Sequence, residues 1–395
     1  MEIRNENTAS VTYPKLYISI DNCFATKRWT KPERWAEIIK ESGAKYVESS
    51  ADTECDMLYS SVQYLRRWRE NAARACEKNG LEINCTYTGH GTYSTLGLTH
   101  TDRDCRERML KEWIFPHIDN AAYFGAIAGF YCHAFDDSVL QSPDKYARYK
   151  DVLYSQMERI AEYGYKRGVT PSLEQMYSPR QYPWRIRDGT DLINAVNKKA
   201  PFYLTIDTGH QTGQRLFVRP DAQSVIKAVE EKREIYAGTD ASQKILAKAI
   251  NGEISAAEAA ERITEAADRT EYMFAEEKDC SPWEWLKALG CYSPVVHLQQ
   301  TDGKTSSHRD FSAGSNRDGI ITGEKVLKSL LWCFKNPKAG AKPVEKIFLT
   351  LELFFSNTAY NDDVIASLRS SVEYWRNFIP YDGIPLDYAV KQIRG

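Results

Sequence analysis

Four side chains that suit metal chemistry stand at or just past the ends of short β-type runs. They are Glu174 in Ser172-Leu173-Glu174-Gln175, Asp207 in Ile206-Asp207-Thr208-Gly209-His210, His297 in Val296-His297-Leu298-Gln299 and Glu352 in Leu351-Glu352-Leu353. Carboxylates set among apolar residues are costly to bury without charge compensation, which a divalent cation supplies. Glu, Asp and His together suit Mn²⁺, Co²⁺ or Mg²⁺, with Zn²⁺ as a further candidate. We read the four as ligands of one divalent ion. A lone strand-end glutamate pairs with an arginine more often than it binds a metal; four such residues at matching strand ends favour the metal. Histidines recur at related places: His90 after Thr88-Gly89, His133 after Tyr131-Cys132, His210, and His308 in the loop beyond His297. His90 and His133 read either as substrate contacts or as groups that only hydrogen-bond within a pocket.

Convergence of such distant positions requires a closed scaffold. Eight β-branched or aromatic runs recur along the chain: Leu16–Phe24, Tyr46–Ser50, Glu82–Thr88, Ile127–Phe135, Pro171–Tyr177, Phe202–Asp207, Pro294–Gln299 and Lys346–Phe355. Between them lie helix-like segments, including Pro32–Ser42, Val62–Asn79, Arg103–Phe124, Pro143–Arg167 and Val364–Phe378, with apolar residues at three- and four-residue spacing. Gly43, Gly80, Gly125 and Gly168 sit where C-terminal glycine caps belong. Strict alternation predicts a parallel sheet, and eight units predict an α/β fold of the (β/α)₈ TIM-barrel type, a single domain over 12–380. An open doubly wound sheet fits the alternation too, but no glycine-rich nucleotide loop follows any strand. One connection is longer than the rest: 211–280 is charged and alanine-rich, and it predicts a helical insertion between strands 6 and 7, including Asp221–Arg233 and Ser255–Ala275. It reads as a subunit contact, a decoration or a lid.

Composition narrows the function classes. The chain has 395 residues, 42% of them hydrophobic, ample for a sizeable core. Its 54 acidic and 52 basic residues leave a net charge of −2, which gives no support for a nucleic-acid surface. No stretch approaches about 18 consecutive apolar residues, so no membrane span is expected. The opening residues lack an apolar signal core, and the nine cysteines show no Cys-x-x-Cys pair. Reduced, buried thiols in a cytoplasmic protein are the expectation.

Taken in order, Leu173-Glu174, Ile206-Asp207-Thr208-Gly209-His210, His297-Leu298 and Leu351-Glu352 resemble the xylose-isomerase-like barrel superfamily. That superfamily includes sugar isomerases, D-tagatose 3-epimerase-type enzymes and the metal-dependent apurinic-site endonuclease. The resemblance spans nearly the whole chain apart from the insertion. It implies one divalent ion on Glu174, Asp207, His297 and Glu352, acid–base roles for Glu174 and Glu352, and a substrate contact from His210. The function implied is a sugar isomerase or ketose epimerase working by enediolate proton transfer, with a small sugar as partner, no nucleic acid or membrane, and a homo-oligomer as an open reading. The chain departs from the pattern after the seventh strand. Gln299 stands where many members have a carboxylate, and His308-Arg309-Asp310 reverses a common Asp-x-His. In the endonuclease, histidines like His90 and His133 bind further zinc ions, so the reversal speaks against that alternative and makes His308 and Arg309 candidates for substrate contact. Lyase or decarboxylase chemistry on an oxidised sugar stays open, because the same intermediate can partition differently.

Overall fold

The computed structural model describes residues 12–89, 95–131 and 133–393. Eight parallel strands run β1 (Lys15–Asp21), β2 (Tyr46–Ser50), β3 (Glu82–Thr88), β4 (Ile127–Phe130), β5 (Pro171–Glu174), β6 (Tyr203–Asp207), β7 (Val295–Leu298) and β8 (Lys346–Leu351). Each pairs with the next, and β8 and β2 both pair with β1, so the sheet closes into the (β/α)₈ barrel. A two-residue strand, β9 (Ile384–Pro385), adds antiparallel to the start of β1.

Helices form where the sequence supplies apolar stripes and caps. Val62–Asn79 begins at Ser61, whose hydroxyl accepts from the Tyr64 N–H, and ends at Gly80 with φ 68°. Pro143–Arg167 starts at the Ser142 cap and stops at Gly168, also left-handed. The segment expected as one helix over Arg103–Phe124 is interrupted by a π-helical turn, Met109–Ile114. Pro116 follows it; lacking an N–H, it cannot continue the ordinary ladder, and the wider turn absorbs the mismatch.

Several strands are shorter than their apolar runs. β1 stops at Asp21 because its carboxylate Oδ1 accepts from the Cys23 N–H and caps a tight turn over Asn22–Ala25. Likewise, the chain leaves the sheet after Phe130, Glu174 and Leu351. Their polar termini thus point into the loops at the C-terminal end of the barrel. A register shift between Val47 and Glu48 sets Glu48 opposite Cys85, leaving Asn84 as an extra residue of β3. This bulge reverses the alternation of β3 beyond that point. Thr86 then faces the surrounding helices and touches His117, while Tyr87 turns into the barrel.

The connection from β6 to β7 carries the helices Ala222–Glu230, Asp240–Ile250 and Ala256–Arg269. They enclose a small core of their own, including Val225, Leu246, Ala259 and Ile263. Tyr272, just beyond, stacks on Tyr146 of the barrel's outer layer at 3.8 Å between ring centroids.

Candidate active site

Strand closure brings Glu174, Asp207, His297 and Glu352 together. One potential ligand atom from each lies within 4.8 Å of all the others, and all four residues are buried. Asp207 and His297 are register partners on neighbouring strands, which places the two side by side. The His297 ring forms the hub: Nδ1 lies 3.0 Å from Glu174 Oε1 and 3.3 Å from Glu352 Oε2, and Nε2 lies 2.8 Å from Glu48 Oε1. Burial alone would lower the basicity of this ring, but Glu48, Glu352 and Glu174 together hold it well above the ordinary imidazole value. Burial would likewise raise the Glu174 carboxyl; the neighbouring His297 outweighs it, and Glu174 lies below the usual value.

Asp207 anchors a tight turn. Its Oδ1 accepts from the backbone N–H groups of Gly209 and His210 at 2.6 and 2.9 Å. The Gln299 amide donates to both Asp207 oxygens, at 2.8 and 3.0 Å. Gly209 permits this approach: a Cβ there would lie 2.3 Å from the Gln299 side chain. His210 donates from Nδ1 to the Gln175 carbonyl at 2.8 Å, and its ring stands 4.0 Å from carboxylate oxygens of both Glu174 and Asp207.

Above the cluster lies a cavity of about 250 Å³, whose walls include Glu174, Glu352, His210, His308, Tyr87 and Phe354. It falls below the ~300–1,000 Å³ of sites for drug-sized ligands and suits a smaller molecule. No Lys or Arg lines it among the described residues. His308 is held over it in the left-handed region, φ 45°. Its N–H donates to Gln299 Oε1 at 2.7 Å, and its ring stacks on Phe354 with centroids 4.1 Å apart. A non-glycine residue in that conformation costs on the order of 1–3 kcal/mol, offset here by those contacts.

The other expected contacts lie elsewhere. His133 is buried beside the cavity without lining it, its Nε2 hydrogen-bonded to the Tyr182 carbonyl. Burial holds that ring down at about 4, so it is neutral. Arg309 turns away from the cavity to Asp318, 3.2 Å from both carboxylate oxygens. His90 lies outside the described residues.

Three site residues escape sequence reasoning: Asp21, Glu48 and Tyr87. Tyr87 lines the cavity and donates its phenol to Glu174 Oε2. Burial first, then the charges of Glu174 and Glu352, hold that phenol well above its ordinary value, so it stays a donor. Asp21 and Glu48 are register partners on β1 and β2, both fully buried. Burial, with Glu48 and Glu352 nearby, raises the Asp21 carboxyl well above its usual range. Five acidic side chains are therefore buried at one end of the barrel. The ion pairs of Glu48, Glu174, Asp207 and Glu352 among the described residues are with His210, His297 and His308. Such an excess of buried negative charge fits a divalent cation, and the mixed carboxylate–imidazole donor set is one that such ions take.

Comparison with known proteins agrees with the barrel fold. A family model described as xylose isomerase-like TIM barrel matches residues 36–250. Over 109 residues the chain is 30% identical to the D-erythrulose 1-phosphate 3-epimerase of Brucella abortus (strain 2308), covering 27% of this chain and 32% of that protein. The match thus spans about a third of that relative's length. Among solved structures, a candidate xylose isomerase from Rhodospirillum rubrum superposes with a TM-score of 0.66 at 17% identity, over 92% of this chain and 99% of that one. The D-psicose 3-epimerase of Clostridium cellulolyticum H10 superposes with a TM-score of 0.54 at 11% identity, over 92% and 98%. An L-ribulose 3-epimerase gives 0.53 at 14% identity, over 95% and 96%. At these identities the structural likeness is one of fold.

Proposed function

This chain belongs to the xylose isomerase-like TIM-barrel family, and we propose that it is a divalent-metal-dependent sugar isomerase or epimerase that moves a proton beside a carbonyl. One observation carries the reading: Glu174 and Glu352, two buried carboxylates, line the same small cavity and both approach His297 Nδ1. Glu174, Asp207, His297 and Glu352 would hold the ion. A divalent ion bound there supplies a Lewis acid that polarises the carbonyl and acidifies the adjacent C–H.

The chain's own groups do the rest. One glutamate removes the proton, and a carboxylic acid returns one. Return to the same carbon from the opposite face is epimerisation; return to the adjacent carbon is isomerisation. Tyr87 orients Glu174 by donating to its Oε2, which leaves Oε1 turned toward His297. His210 and His308 present imidazoles to substrate hydroxyls, and Phe354 and Tyr87 exclude water from the reacting carbon. The absence of Lys and Arg from the described cavity wall favours an unphosphorylated substrate, even though the Brucella relative is named for a phosphorylated one. His133 and Asp310 stand outside the four-residue cluster, and Asp310 bonds to Ser312 and Ser315, so one ion per chain is expected.

The test is incubation with a panel of ketoses and aldoses in D₂O with Mn²⁺. Proton transfer predicts a new sugar carrying deuterium at the carbon beside the carbonyl. Interconversion with no label even on long incubation would instead indicate a direct hydride shift and remove the acid–base role from the glutamates.

A further inference from the structure

We infer that Glu48 is a positioning residue, fixing His297 in the tautomer that turns Nδ1 toward the ligand cluster. The inference rests on the metal centre proposed above. Glu48 and His297 are both fully buried, on the non-adjacent strands β2 and β7, and they meet through Nε2 and Oε1 at 2.8 Å. A carboxylate oxygen accepts hydrogen bonds, so the Nε2 atom facing Glu48 Oε1 is placed as the donor. In the neutral ring the lone pair then lies on Nδ1, the atom that faces Glu174 and Glu352. Histidines that bind metals almost always donate their other N–H to an outer partner, which sets the ring's orientation and raises its basicity.

The cost of burying Glu48 supports this role. Among the described residues the weak Cys85 thiol donor stands beside it, and His297 is its ion-pair partner. A glutamine could accept the same bond with a smaller desolvation penalty. A glutamate in place of a glutamine on β2 makes sense if it acts on the electron density of the ring. The backbone supports the placement as well: Glu48 sits at the register shift between β2 and β3 and opposite Asp21 on β1, so it is aimed inward from a rigid position.

The experiment uses the full-length chain with Glu48→Ala and Glu48→Gln, reading Mn²⁺ affinity by calorimetry and, in metal-free protein at a pH high enough to leave the ring neutral, the His297 tautomer by long-range ¹⁵N–¹H NMR. We expect a fixed Nε2–H in the wild type, loss of that preference in Glu48→Ala, and Mn²⁺ dissociation constants raised about ten- to a hundredfold. Glu48→Gln, which keeps an acceptor and loses the charge, should fall between the two. Wild-type Mn²⁺ affinity in either folded variant, or a neutral wild-type His297 without a fixed Nε2–H, would overturn the inference. If Glu48→Ala does not fold, Glu48→Gln decides by the same criterion. A wild-type chain that takes up no Mn²⁺ would remove the metal centre itself, and the tautomer measurement would still judge the Glu48–His297 contact separately.

Discussion

The two ends of the barrel are built on the same strands and differ in kind. At the N-terminal end, Tyr17 of β1, Tyr46 of β2 and Phe348 of β8 pack ring on ring, with centroids 5.0–5.4 Å apart. Four residues further along β1, Tyr17 gives way to Asp21; two further along β2, Tyr46 gives way to Glu48; and beyond β8, Phe348 gives way to Glu352. In between sit small polar groups, such as Ser19 donating to Asn84 at 2.8 Å and Ser172 bonded to Thr205 at 2.8 Å. One inward-facing row of side chains thus passes from apolar plug to buried acid within a few residues. The aromatic end contributes to stability by burial and dispersion. The acidic end works against stability until a cation or proton compensates it.

That division can be broken from either end. The largest expected effect is on turnover: Glu174→Gln and Glu352→Gln, assayed at saturating Mn²⁺, should each lose about a hundred- to ten-thousandfold, with the folded fraction unchanged by circular dichroism. Next, Phe348→Ala at the opposite end should cost about 3–5 kcal/mol in denaturant unfolding, while activity per folded molecule stays near wild type. Third, Mn²⁺ at a hundred times its dissociation constant should stabilise the wild type by about 2.7 kcal/mol. That gain should vanish in Asp207→Asn and persist in Phe348→Ala, as read by thermal unfolding with and without EDTA.

The smallest effect contrasts these acids with one that has an ordinary partner. Glu107, on the outer layer, bonds to Arg159 at 3.0 Å, and that hydrogen bond holds its carboxyl down at about 2. A depressed carboxyl contributes stability above its unfolded value near 4.5, and the contribution is lost as pH falls through about 2. Both side chains are partly exposed, so the pair is worth at most about 1 kcal/mol. Glu107→Gln should therefore lower stability slightly at pH 7, with the difference from wild type shrinking toward pH 2.

Much of this is legible in residue order. Strands buried on both faces read as apolar runs, so all eight stand out, and polar residues closing such runs, as at Glu174, Asp207 and His297, have few structural reasons to be there. Glu48 gives no such signal: it lies inside Tyr-Val-Glu-Ser-Ser, where a lone acid reads as solvent-facing. Tyr87 is hidden by the bulge at Asn84, because plain alternation from Glu82 would put Tyr87 on the face it does not occupy. His133 and Arg309 take partners that are hidden for another reason. Both lie beyond strand ends, where loop geometry directs a side chain, and a carbonyl of Tyr182 and the carboxylate of Asp318 claim them.

The helices between β6 and β7 have a consequence for how such a protein can change. The chain departs for them and returns through a short clasp: the Ala275 N–H donates to the Phe217 carbonyl at 2.9 Å, and the Arg219 N–H to the Ala275 carbonyl at 3.1 Å. With the two ends already tied, the number of residues between them is nearly free to vary, since closure cost grows only slowly with length. The excursion behaves as a graft on a fixed stem. Descendants could lengthen, shorten or exchange it, altering what the outer surface offers to other molecules, while the strand ends that gather the acids keep their spacing.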